Sequence, residues 1–311
     1  MRYEYPIAAD TIGPTPISFW GRALRRLTRN RMAVVGGVVV VALVLAALSA
    51  EVLAPYSPTK QDYSVVFQPP GAEHLLGTDN LGRDLLSRLL FGTRAAIAAG
   101  LLTQILTLAI GLPIGSIAAV MGGRVDNLLM RLTDIFYAFP DLLLIILLSA
   151  ALRDHPIKGL WGGLPIIIFA IGITNWVNIA RLARGQMLAL KEREYVEAAR
   201  ALGADNTRIV LKHLLPNALG PIIVSTTLGI PFAIFTEATL SFLGLGITPP
   251  NPSWGSMIQE GYQGIFAYPH LVLFPALAIS VTLLAFTFLG DGLRDALDPY
   301  MEDRTTSRSG V

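Results

Sequence analysis

The chain has 311 residues, of which 53% are hydrophobic and only 15% charged, with a mean hydropathy of +0.56. Soluble domains carry about 25% charged residues, so this composition excludes an ordinary soluble fold and places the chain in the membrane class. The absence of cysteine excludes disulfides and thiolate metal sites.

The first fifteen residues show no pattern. The next stretch, "ISFWGRALRRLTRNR", puts Phe19, Trp20, Ala23, Leu24 and Leu27 on one helical face and arginines over much of the rest. That suits a helix lying in a membrane interface; a disordered basic tail is the competing reading. No secretory signal is expected, because the first apolar run starts only near residue 32 and no small-residue cleavage pattern follows it.

A spanning helix needs roughly 20 apolar residues. The runs 32–50, 95–123 and 159–180 carry no charge, 214–259 carries Glu237 alone, and 261–290 is clean apart from His270. A further run, 127–152, is apolar but holds Arg131, Asp134 and Asp141. The expectation is an all-α polytopic protein with six membrane helices. Its divisions are a tail with an interfacial helix over 1–31, a first span over 32–54, a loop over 55–94, a core of five spans over 95–293, and a second tail over 294–311.

In the 55–94 loop, Asp79 is expected to cap a short helix. Leu81, Leu85, Leu86 and Leu89 would form its apolar stripe, with Arg83, Asp84 and Arg88 facing water. Within the second span, Gly111 and Gly115 have the G-x-x-x-G spacing that permits close helix packing. Pro113, Pro140, Pro165, Pro231 and Pro275 are candidates for kinks or helix starts.

Polar residues in the spans need partners, since an ionised Asp at mid-bilayer costs about 2.5 to 3.5 kcal/mol. Asp134 and Asp141 are seven apart and would share a face, Arg131 being the nearest cation to Asp134. Glu237, and Asn175 and Asn178 in the fourth span, raise the same question. For Asp141 and Glu237 a polar translocation path and hydrogen bonding between helices stand level; Asp134, nearer the surface, favours the latter.

Between the fourth and fifth spans, about 192–214, lies the charged stretch "EYVEAARALGADNTRIVLKHLLP". Tyr195, Ala198, Ala199 and Leu202 recur with helical period. Gly203 stands where a helix ends, Asp205 or Asn206 can cap a second helix, and Val210, Leu211, Leu214 and Leu215 give that helix a greasy side. Pro216 marks a break before the fifth span. Helix connections usually need 2 to 8 residues, so about thirty organised residues read as a docking element whose alanines admit another protein's backbone. After the fifth span, "GITPPNPSWGSMIQEGYQGIFAYPH" has no Lys or Arg and fits either a docking surface or a plug. The sixth span should break at "GDGLRDALDPY". Assigned to alternate sides of six spans, eighteen Lys and Arg fall with the termini and the charged stretch and six on the other side, which puts both termini in the cytoplasm.

The string "EAARALGADNTRIVLKHLLP" resembles the EAA loop of ATP-binding-cassette importer permeases, matching at Glu197, Ala198, Ala199, Gly203, Leu215 and Pro216; His213 stands where the general pattern has isoleucine. The "HLLPN" ending, "LGTDNLGRDLLSRLLFGTR", "FLGLGITPPNPSWGSM" and "LAFTFLGDGLRDALDP" are similar to the dipeptide and oligopeptide branch. The resemblance implies the type I importer fold. It implies a non-catalytic subunit of a prokaryotic inner membrane, paired with a homologous permease, two ATPases holding ATP and Mg2+, and an external binding protein. It makes the EAA segment, with Tyr195 and Leu202 beside the motif, the element that couples to the ATPases. The branch favours di- or oligopeptides; nickel chelates, glutathione, opines and sugars are carried by relatives. No phosphate-binding loop, H-E-x-x-H or G-x-S-x-G occurs, and no cofactor is expected on this chain. A lone ion-driven carrier, the other rival, leaves the ordered polar helix pair unexplained.

Overall fold

The computed structural model describes residues 19–298, so the expectations for residues 1–18 and 299–311 lie outside the described residues. Helices α1 (Phe19–Arg29) and α2 (Arg31–Leu48) meet at Asn30, whose side chain accepts the amides of Met32 and Ala33. Ala23 and Leu27 of α1 pack on the last helix among the described residues, against Leu293, Ala296 and Leu297. The short α3 (Ala50–Leu53) prolongs α2.

Helix α4 (Leu85–Met121) has 37 residues, about 55 Å at 1.5 Å per residue. The separate loop helix expected around Asp79 does not form. The residues from Leu85 to Arg94 are instead the first turns of α4, capped by Asp84, which accepts the Ser87 amide at 2.8 Å. Asp79 is unavailable as a cap because its carboxylate accepts the amides of Leu81 and Arg83 inside the loop.

The run expected as one third span is two helices, α5 (Gly123–Tyr137) and α6 (Asp141–Ala151), bent by 83°. Pro140 lacks an amide hydrogen and disfavours helix at the residue before it. Asp134 and Asp141 therefore lie on different axes and share no face.

Helix α7 (Leu164–Lys191) opens on Pro165 and packs closely along α4. A Cβ on Gly111 would stand 2.5 Å from the Trp176 carbonyl oxygen, and one on Gly115 would stand 2.9 Å from the Ala183 Cβ. The G-x-x-x-G spacing is thus a true packing seam.

The polar stretch forms α8 (Glu194–Ala201) and α9 (Asn206–Ile209). The latter does not end at Pro216. It passes through a π turn, Val210–Leu214, directly into α10 (Leu215–Phe242). Pro216, which has no amide hydrogen to donate, follows directly on that π turn, where the ladder of the continuous helix is already interrupted. Then come α11 (Trp254–Gly261) and α12 (His270–Leu297). Helix α12 runs on through Gly290, Asp291 and Gly292, because the two glycines make room for Leu228 and Ala33; it stops only at Asp298, before Pro299. Among the described residues five helices are long and apolar enough to cross a membrane, or six if the bent α5–α6 pair counts as one.

Candidate functional site: the α8 corner and its anchors

Helix α8 is seated on the bundle chiefly by one side chain. Val196, its one buried residue, packs with Ala119 of α4, Met187 of α7, Ile209 and Leu214. Sequence reasoning missed Val196; its signal was a lone β-branched residue on the face opposite Ala198. The Tyr195–Leu202 stripe points away from the bundle. Leu202 is 89% and Tyr195 41% exposed, Glu197 and Ala198 are exposed, and Ala199 is half-buried. The face carries two large apolar residues, Leu202 almost bare and Tyr195 partly covered by the His213 ring.

The turn after α8 is fixed by its backbone. Gly203 has φ +85°, and a Cβ there would meet nothing within 4 Å. The requirement for glycine is therefore conformational, not spatial. Its amide bonds Arg200 O, and the Ala204 amide bonds Ala199 O. Asp205 accepts the Arg208 amide and caps α9. The Tyr195 and His213 rings lie 6.3 Å apart, which brings α8 against the π turn. Leu215 packs in the same apolar cluster, and Pro216 is exposed.

Three cations of α7 hold the neighbouring α4–α5 corner. Arg184 reaches Asp126 with a two-pronged bond, Nε at 2.5 Å and Nη2 at 2.6 Å. Arg181 donates to Asp134 at 2.7 Å and covers the Tyr137 ring at 4.3 Å. Lys191 donates to the carbonyls of Ala119 and Val120. The partner of Asp134 is thus Arg181, 47 residues away, and not Arg131; no local spacing rule finds it.

The five intramembrane polar candidates have separate surroundings. Glu237 is 1% exposed and accepts the hydroxyls of Ser241 and Ser253, each at 2.7 Å. Ser253 also caps α11. Asn175 donates to Ile171 O within its own helix. Asn178 and Asp141 are exposed, as is Asp134.

At the opposite end, α11 is locked to the loop and to α4. Arg88 donates to Glu260 through Nη1 at 2.6 Å and Nη2 at 3.1 Å, and also to Asp79. Arg83 donates to Asp79 at 2.7 Å and to Glu260 at 2.6 Å. Asp84, besides capping α4, bonds His74 at 2.8 Å. Arg83, Asp84 and Arg88, expected to face water, are all buried at 3% exposure or less. Two arginines against two carboxylates offset the desolvation that burial imposes. In the same loop, the Ser64 hydroxyl and amide hold the exposed Asp62 below the usual carboxylate range.

Comparison with known proteins places this architecture. Residues 111–303 match the family described as binding-protein-dependent transport system inner membrane component. Residues 18–70 match the N-terminal TM domain of oligopeptide transport permease C. The chain is 43% identical to the oligopeptide transport system permease protein OppC of Bacillus subtilis over 291 residues, covering 94% of this chain and 93% of that one. It is 41% identical to that organism's dipeptide transport system permease protein DppC, covering 94% and 89%. It is 39% identical to the glutathione transport system permease protein GsiD of Pectobacterium atrosepticum, covering 97% of each. In fold it is similar to a chain of the MetNI methionine ABC transporter in an inward facing conformation, with a TM-score of 0.55 and 22% identity over 69% of this chain and 98% of that chain. The chain therefore belongs to the family of binding-protein-dependent transport system inner membrane components, and is a multi-pass membrane protein.

Proposed function

We propose that this chain is one of two permease subunits of an ATP-driven peptide importer in a prokaryotic plasma membrane, with α8 as the element that docks on an ATPase. The observation that carries the reading is the exposed Tyr195–Leu202 face on a helix rigidly seated by Val196. A short rigid helix transmits movement as a body. Glu197, Ala198, Ala199, Gly203, Leu215 and Pro216 form the coupling element with Tyr195 and Leu202. The basic residues of α1 and of the α7–α10 connection support a cytoplasmic position for that end and for both termini, by the positive-inside bias.

The partners of this reading are a homologous permease, two ATPases that bind ATP and Mg2+, and an extracytoplasmic binding protein that delivers substrate. Di- and oligopeptides are the substrates that the oligopeptide and dipeptide relatives support. The glutathione relative makes a glutamyl tripeptide the first competitor to test.

The test is a tagged chain purified from its host membrane. ATPase and permease partners should co-purify, and vesicles holding the assembly should take up labelled dialanine only with ATP and the binding protein. Solo transport without ATP would overturn the reading, whereas uptake of glutathione alone would move it to that substrate.

A further inference from the structure

Helix α5 is jointed at both ends. At its start, Gly122 and Gly123 have φ +61° and +53°, and a Cβ on either would meet nothing within 4 Å. Two consecutive glycines in the left-handed region, free of packing, make a soft joint to α4. At its end the chain turns by 83° into α6 across Pro140. Between these joints α5 has little apolar hold on the bundle. Thr133 is its one buried residue, and Phe136 meets the edge of Trp176 at 5.6 Å between centroids.

What fixes the angle of α5 is polar, and it comes from α7. The Asp126–Arg184 fork joins side chains that are 15% and 32% exposed. The Asp134–Arg181 pair is far more open, at 66% and 37%. Exposed pairs contribute little, and bidentate, partly shielded ones fix geometry, so the first pair dominates. Helix α7 continues within three residues into α8, and Lys191 and Val196 seat that junction on the end of α4.

We infer that α5 is a lever whose angle is set by the Asp126–Arg184 pair, so that displacement of α8 reaches α5 and α6 through α7. In this role Asp126 and Arg184 are positioning residues, acting through the helices they join. The inference rests on the reading of α8 as the coupling element. The two can fail separately: Glu197→Lys tests docking, and the Asp126 and Arg184 variants test what happens after docking.

The experiment uses the assembled transporter in vesicles, with labelled dialanine or glutathione, whichever the parent accumulates, and reads substrate imported per ATP hydrolysed. Asp126→Asn and Arg184→Gln should co-purify normally with the ATPases and hydrolyse ATP, yet import about tenfold less per ATP, the scale of an ordinary coupling between sites. The exchange Asp126→Arg with Arg184→Asp should restore most of the ratio. A merely structural pair would alter yield or assembly and leave the ratio alone. If Asp126→Asn does not insert, Arg184→Lys is read instead, since it keeps the charge and loses the fork. A lowered ratio with normal assembly then supports the lever. A parental ratio in the variants that insert, or an exchange that restores nothing, overturns it.

Discussion

Arg88 of α4 grips Glu260 of α11 with both terminal guanidinium nitrogens, at 2.6 and 3.1 Å, although the two are 172 residues apart. The same carboxylate takes Arg83 of the loop. One acidic side chain thus ties the loop, the second long helix and the short α11 into one block. Removing Arg88 leaves two carboxylates, Asp79 and Glu260, to share Arg83 alone, and breaking a buried pair costs about 3 to 5 kcal/mol. Arg88→Leu should therefore lower the unfolding temperature of the detergent-purified chain sharply. Glu260→Gln keeps an acceptor and should cost clearly less. Equal, small shifts from both would show that the cluster is not a structural lock.

The α8 corner makes an opposite pair of predictions. Leu202 is exposed, so Leu202→Asp should change stability by no more than about 0.5 kcal/mol while abolishing co-purification of the ATPase. Val196→Ala removes two buried methyl groups, about 1.6 kcal/mol at 0.8 per buried carbon. It should leave the docking face chemically intact but loosely held. Thermal melts set beside pull-down yields separate the two. If Leu202→Asp bound ATPase as the parent does, α8 would not be the docking face.

The span pattern was legible in sequence because crossing a bilayer demands long apolar runs, and length is a local property. The α8 helix, the Gly203 turn and the Asp205 cap were legible for the same reason: each depends on neighbours within four residues. The failures are non-local or competitive. Arg83 and Arg88 read as solvent-facing because their carboxylate partner Glu260 lies far along the chain. Asp79 read as a cap, but loop amides claim its oxygens first. Pro216 read as a break, but the helix passes into it through a π turn, where a residue without an amide hydrogen is accommodated. The stretch from Gly290 does end α12, but at Asp298 and not at its glycines, which lie where Leu228 and Ala33 need the space.

The Gly111–Gly115 seam predicts a steric failure, not a chemical one. A Cβ at Gly111 would press on the Trp176 carbonyl and on Ile179, whose Cβ would be 2.9 Å away, and backbone cannot rotate aside. Gly111→Leu should force α4 and α7 apart and cost at least the 1 to 3 kcal/mol typical of overpacking. Gly185 lies on α7 with nothing near it, so Gly185→Ala should be neutral or slightly stabilising through helix propensity. Protease resistance of the membrane-embedded chain measures both.

Glu237 decides between a path and a scaffold. The carboxylate is buried at 1% exposure, and one oxygen, Oε1, accepts both serine hydroxyls. Ser253, which supplies one of them, also caps α11 through the Gly255 amide. This geometry serves to hold α11 on α10. Glutamine offers the same acceptor oxygen without the charge, so Glu237→Gln should keep uptake within about twofold, with a stability change near the 1 kcal/mol of one hydrogen bond. Glu237→Leu strands two buried hydroxyls and should cost about 2 to 4 kcal/mol, at 1 to 2 for each. Ser253→Ala loses the cap and should fall between them. A residue that lines the substrate path would give a different pattern, because the charge itself would matter. If Glu237→Gln abolished uptake while melting at the parental temperature, the scaffold role would fail and the carboxylate would belong to the path.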